Sequence, residues 1–521
     1  MWRRSICRGH ADGMGSDFAK DAGTRALQHG FDRAICLDLA DTALRLARLG
    51  GADYADVRLG RNTNESAFAQ DGKFRGANYS LEAGFGVRVL KNGSWGFAGS
   101  NTLTEAEIAR MVTRAVENAE ANARLQDRAI EIEELPAVQE DWTMPVVADP
   151  FAVSMDVKAA HLLAVNEAAI KNGADFCFAH LYFVREEKFF ASTRGSTIFQ
   201  TRLRCNPTFS ATAIHKATGK FTSRDSLAAP RAAGWEYVEA CDLVGEAARA
   251  GGEVREKLAA KSVEPGSYDL VIDPTNLFLT IHESIGHSTE LDRALGWEAD
   301  FAGTSFVTPD KLDRLQFGSP LMTVMADRSQ EGGLATVAFD DDGARTAGAE
   351  FPIIENGIFR NYQMALGQAQ YIGRDKSNAC AYCDSPTAFP IQRMPNISLQ
   401  PNPQSCSLDD LIGGVERGIY IAGAGSWSID QQRDNFQFTG QVFHAIENGK
   451  LGPMLRDVAY QGRTVAFWNS MDGLGDASTY HLGGAFNCGK GQPMQIAPVS
   501  HGAAPARFRG VTVLNTERED V

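Results

Sequence analysis

The chain has 521 residues, 44% of them hydrophobic and 22% charged, with a formal net charge of −14, which is an ordinary globular composition with room for two or three domains and a large core. The negative charge argues against nucleic acid or an anionic membrane as partner, since either draws most of its affinity from Lys and Arg. No run of about 18 apolar residues occurs, so no membrane-spanning helix is expected.

Residues 1 to 30, rich in Gly, Asp and Arg, read as a poorly ordered extension in which Met14 is an alternative start. Met1-Trp-Arg-Arg-Ser-Ile-Cys-Arg8 has the charge of an export signal, but Gly9-His-Ala-Asp-Gly13 stands where the apolar region belongs, so a cytoplasmic location is expected. Nine cysteines without an export signal are then expected to be reduced thiols. Cys380 and Cys383 form a CxxC with no second pair at zinc-ribbon distance, and read as structural thiols.

Residues 32 to 49 read as an amphipathic helix and Tyr54 to Leu59 as a strand. Gly84 to Leu90 and Ser94 to Ala98 form a hairpin across Asn92-Gly93, which supplies the positive φ angles of a two-residue turn. A helix follows to about Ala123, N-capped by Thr104. Residues 136 to 150, with three prolines, read as a linker. Residues 155 to 171 read as a helix, 184 to 203 as a strand pair turning at Arg194-Gly195, and 237 to 258 as one long helix whose charges face solvent. The remainder is predominantly β, with hairpins turning at Glu355-Asn-Gly357 and Glu447-Asn-Gly449. Asp340-Asp-Asp-Gly343 lacks the alternating ligand spacing of a calcium loop and reads as a solvent-exposed turn. The expected fold is α+β: a two-layer N-terminal α/β domain over 31–260, then a mainly antiparallel β domain over 261–521 carrying a metal-binding helix.

That helix follows the apolar strand residues Leu270, Val271 and Ile272, and Asp273-Pro274 marks its start. It carries His282, Glu283 and His287. Two imidazoles with a carboxylate directly after the first are the ligand and base set of a hydrolytic zinc site, normally spaced H-E-x-x-H. Here the spacing is H-E-x-x-x-H. Positions five apart on an α-helix differ by about 140°, against about 40° for four. Shared coordination therefore predicts a π-type turn, made easier by Gly286; without it, these are two unrelated histidines. A third ligand is needed. Glu290 is near enough to the face of His287 to remain open, and Asp292 is close in sequence. Cys488 is favoured because its loop is flanked by glycine and Lys490 would stabilise a thiolate. His481 and Lys490 read as surface or packing groups.

His282-Glu-Ser-Ile-Gly-His-Ser-Thr-Glu-Leu-Asp-Arg-Ala-Leu-Gly296 and Ala302-Gly-Thr-Ser-Phe306 resemble the metal-binding segment of the TldD/PmbA family. The similarity continues at Phe339-Asp-Asp-Asp-Gly343, Ile354-Glu-Asn-Gly357, Ile446-Glu-Asn-Gly-Lys450 and Cys488-Gly-Lys-Gly-Gln492, and weakly at Gly51-Ala-Asp-Tyr-Ala-Asp-Val-Arg58. It covers roughly residues 35 to 515. The resemblance implies a TldD-type zinc peptidase, with Glu283 as base, His282, His287 and Cys488 as zinc ligands, short or unfolded peptides as substrates, and a closed dimer with itself or a PmbA-type relative. The alternatives are a non-catalytic regulatory subunit, as the PmbA type is, and a metal-dependent hydrolase of non-peptide bonds. The His-Glu motif, absent from the PmbA type, favours the peptidase.

Overall fold

The computed structural model describes residues 31–517; the extension over 1–30 and the alternative start at Met14 lie outside the described residues. Long strands dominate the N-terminal half: β1 (Tyr54–Gln70), β2 (Lys73–Lys91), β3 (Ser94–Ser100), β4 (Gln139–Thr143), β5 (Phe176–Ser192), β6 (Thr197–Ile214) and β7 (Phe221–Asp225). They form one sheet in the order β3-β2-β1-β5-β6-β4, with β7 also on β6. Asn92 and Gly93 take φ angles of 54° and 71° between β2 and β3, the tight turn their residue types require.

Helices cover this sheet with the faces their apolar spacing defines. Leu39, Ala43 and Leu44 of Arg33–Leu49 join Ile108, Val112 and Ala115 of Glu105–Asn122 over Val57, Leu59, Val87 and Val89. Leu162 and Val165 of Met155–Lys171 join Ala247 and Val254 of Leu243–Ala259 over Leu181, Phe183 and Phe209. The Thr104 hydroxyl accepts the Glu107 N–H, as an N-cap should.

In the C-terminal half, Arg417–Ile429, Gly266–Ile272, Ala506–Asn515, Val458–Arg463 and Asn435–Glu447 pair in that order, and the last pairs back onto the first. Only the pairing of Arg417–Ile429 with Gly266–Ile272 in this ring is parallel. The helix Pro274–Ile281 leaves the central strand, and the antiparallel hairpin His481–Lys490 and Gln495–Ala503 packs on it. The α+β class and the division into an α/β half and a mainly antiparallel half are as expected. No helix among the described residues is long and apolar enough to cross a membrane.

Three expectations fail. The linker over 136–150 contains β4, which pairs in parallel with β6, so the prolines frame an edge strand. The helix expected over 237 to 258 is two, Trp235–Ala240 and Leu243–Ala259, because Asp242 turns left-handed at φ 44° and caps the second through Gly245 N–H. One of its charges, Glu246, is buried against Arg224 at 2.8 Å.

Asp340-Asp-Asp-Gly343 is no exposed turn, since all three carboxylates are buried. Asp341 pairs with Lys188 of β5 at 2.7 Å and accepts the Cys383 N–H at 2.6 Å, while Asp342 pairs with Arg88 of β2 at 2.7 Å. Asp340 accepts the N–H groups of Asp342, Ala344 and Ala381. The acidic run is thus a seam fastening the C-terminal half to the N-terminal sheet, and its cationic partners are too distant in sequence to be paired with it by local reading.

Candidate metal centre

The Asp273 carboxylate caps the helix through Thr275 N–H at 2.9 Å, and Pro274 occupies the first turn, where a missing N–H costs nothing. The α-helix runs to Ile281, becomes π over His282–Gly286 and 3-10 over His287–Thr289. The His287 N–H donates to the His282 carbonyl five residues back. This is the distortion that five-residue spacing predicts, and it brings the two rings to a centroid distance of 4.8 Å. Gly286 acts differently from the expectation. Its φ of −53° is ordinary helix, but a Cβ there would stand 2.7 Å from Met394 Sδ.

Side-chain donors reach the backbone carbonyls along this stretch. Ser284 Oγ donates to the Thr280 carbonyl, Ser288 Oγ to Ser284, and Thr289 Oγ1 to Ile285, while Gln363 Nε2 donates to Gly286 O at 2.6 Å. Trp468 Nε1 holds Ser284 Oγ at 2.9 Å. The hairpin then closes the site. Gly483 permits its approach, because a Cβ at that position would lie 2.5 Å from Phe278 Cβ.

Cys488 enters from that hairpin, with Sγ 3.7 Å from His287 Nε2. One ligand atom from each of His282, His287 and Cys488 lies within 4.8 Å of the others, and all three side chains are buried. Two imidazoles and a thiol form a donor set suited to zinc. Glu290 and Asp292 lie outside this cluster. Glu290 Oε2 instead accepts from His287 Nδ1 at 3.1 Å and Arg293 Nε at 3.0 Å, and Asp292 pairs with Lys490 at 2.8 Å. Lys490 is fully buried, so it is no surface group.

Comparison with known proteins gives the chain a family. Residues 265–515 match the model of the PmbA/TldA metallopeptidase C-terminal domain, and 55–119 that of PmbA/TldA metallopeptidase domain 1. The chain belongs to the TldD/PmbA family. It is 27% identical to a metalloprotease of Methanothermobacter thermautotrophicus over 89% of this chain and 96% of that one. It is 22% identical to a zinc metalloprotease TldD homolog of Saccharolobus solfataricus over 86% and 94%. Its fold matches the crystal structure of TldE from Thermococcus kodakarensis with a TM-score of 0.69 at 16% identity, covering 91% and 99% of the two chains.

Two residues of this TldD/PmbA chain carry no signal in the sequence. His501 Nδ1 faces the Ile397 carbonyl at 3.0 Å and must donate to it, so His501 Nε2 accepts from His282 Nδ1–H at 2.7 Å. This assigns the tautomer of His282 and leaves its Nε2 lone pair for a metal, as Glu290 does for His287. Arg433 Nη1 contacts Glu283 Oε2 at 2.5 Å. Burial holds His282 and His287 below their ordinary pKa, the neutral state a ligand needs. Burial would raise the Cys488 thiol, but the Arg393 guanidinium, then His287, bring it below 9.0. Arg393, which also donates to the Cys488 carbonyl, therefore has the role expected of Lys490. His481 is half-buried, and burial holds it down to about 4. Cys380 and Cys383 are buried free thiols pushed by burial up to about 12, consistent with a structural role.

Proposed function

We propose that this chain is a zinc-dependent peptidase acting on short or unfolded polypeptides, with His282, His287 and Cys488 as ligands and Glu283 as general base. What supports this reading is the convergence of two neutral imidazoles and an acidified thiol beside a buried carboxylate, in a family described as metallopeptidases. A bound zinc ion supplies Lewis acidity, activating water and polarising a carbonyl. Glu283 takes the proton of the attacking water and delivers it to the leaving amine. His501 and Glu290 hold the ligand rings in the metal-accepting tautomer, and Arg393 favours the thiolate. An extended peptide fits a strand-rich site by adding to a sheet edge through main-chain bonds, which gives breadth of substrate. The working unit is a dimer, with a second copy or a PmbA-type relative, in the cytoplasm, and each chain has two domains, 31–260 and 261–521.

A panel of unstructured peptides, assayed with the zinc-loaded protein with and without chelator, tests the reading. Glu283→Gln keeps shape and hydrogen-bonding reach but cannot take the proton. Hydrolysis should fall by about 10² to 10⁴ at unchanged zinc content. Cleavage of none of the peptides by the wild type would favour a regulatory subunit or a non-peptide hydrolase, and full activity of Glu283→Gln would remove the base.

A further inference from the structure

Arg433 lies on the turn between Arg417–Ile429 and Asn435–Glu447, with its backbone left-handed at φ 65°. The turn is tied on several sides. The Arg433 N–H donates to Asp430 O at 3.1 Å, and the Asp430 carboxylate accepts from Asp434 N–H at 2.9 Å and Asn435 N–H at 3.1 Å. Thr464 Oγ1 donates to Arg433 O at 2.7 Å, and Phe306 N–H donates to Gln432 O at 2.8 Å. A residue other than glycine persists in this backbone region when its surroundings over-determine it, and such positions cluster at functional sites.

The side chain runs from this turn into the metal centre. Its Nη1 is spent on Glu283 Oε2 at 2.5 Å, but its buried Nε has no hydrogen-bond partner. A buried N–H left unpaired is unfavourable and calls for an explanation. A guanidinium beside the base, with a donor to spare, suits the negative charge that develops during attack on a carbonyl, and fixed donors aimed at that charge are among the largest catalytic effects.

We propose that Arg433 is a catalytic residue that donates to the oxyanion formed on the scissile carbonyl while it keeps Glu283 in line; this rests on the peptidase reading above. The water oxygen bonds to the carbonyl carbon as the C=O π pair moves onto oxygen and the water's proton passes to Glu283. The C–N bond then breaks, the proton goes to the departing amine, and the oxyanion pair re-forms the carbonyl. Arg433 donates to that oxygen throughout and keeps its own protons.

The test uses Arg433→Met and Arg433→Lys in the full, zinc-loaded chain. Zinc content should be unchanged in both. In Arg433→Met, kcat on a cleaved peptide should fall by about 10² to 10³ with KM little altered, and Arg433→Lys, which keeps charge and stem, should recover part of it. Affinity for a phosphinic peptide, a tetrahedral mimic, should fall by the same factor as kcat, while affinity for the product peptides should not. Loss of kcat without selective loss of phosphinic affinity would reduce Arg433 to a structural part, and wild-type kcat in Arg433→Met would remove it altogether. If the wild type cleaves no peptide and binds no phosphinic peptide, the peptidase reading itself fails and takes this proposal with it.

Discussion

His282 and His287 are each held through Nδ1, one by another imidazole and one by a carboxylate. Such partners fix ring orientation and tautomer, and their loss typically lowers metal affinity about 10- to 100-fold without removing a ligand. His501→Ala and Glu290→Gln should therefore each weaken zinc binding by about that factor, read by chelator competition, whereas Cys488→Ala should lose more because a donor atom disappears. Full zinc retention by Cys488→Ala with loss in Glu290→Gln would move the third ligand back onto the helix. The placement of Cys488 beside the two histidines was legible from its glycine-flanked setting and the family resemblance. His501 could not, because it lies 219 residues from His282 and nothing adjacent to it indicates a role.

The helix carrying His282 and His287 shows how five-residue spacing can bring two rings together. The bonds between His282 and His287 are π, and hydroxyls and the Gln363 amide donate to carbonyls along that stretch. Gly286 contributes space. In Gly286→Ala the new methyl would stand 2.7 Å from Met394 Sδ and 3.1 Å from its Cε, inside the core. Overpacking of this kind costs about 1–3 kcal/mol, and the flexible thioether should keep the loss toward the lower end. Urea unfolding should show the loss together with weaker zinc binding, because the shift acts on the turn that aligns the rings. An unchanged midpoint would mean that Met394 moves aside freely.

The two halves meet through buried charge. Lys188 pairs with Asp341 at 2.7 Å and Glu186 at 3.4 Å, and Arg202 and Arg204 also hold Glu186. Removing one partner from such a cluster leaves a buried charge uncompensated, at about 3–5 kcal/mol. Lys188→Met should therefore lower stability to urea by that order, and adding Asp341→Asn should restore part of it. Burial would raise Glu186 and Asp341, but Arg202 with Lys188 and Arg204 holds Glu186 well below 4.5, and Lys188 holds Asp341 below 3.8. Carboxylates depressed in the folded state stabilise it above their unfolded pKa, and that contribution is lost as pH falls through the folded values. Melting temperature should accordingly drop on acidification below about pH 4, less steeply in Lys188→Met. Equal slopes would detach the seam from acid stability.

Local features follow from the order of residues alone. The helix Met155–Lys171, the Thr104 cap and the Asn-Gly turns follow from side-chain spacing and from backbone angles that few residues tolerate. Even the π turn was legible, since 3.6 residues per turn cannot aim positions 282 and 287 at one point otherwise. Which charges are buried, and which groups surround His282 and Glu283, depends on how the chain folds in space. Asp340-Asp-Asp-Gly343 has the composition of a solvated turn, and Arg88 and Lys188 reverse that reading by arriving from strands more than 150 residues earlier. His501 and Arg433 reach His282 and Glu283 the same way, through a hairpin and a turn whose placement depends on sheet closure and packing. Spacing encodes what neighbours along the chain can do; electrostatic partnership depends on distance in space, which the folded core sets.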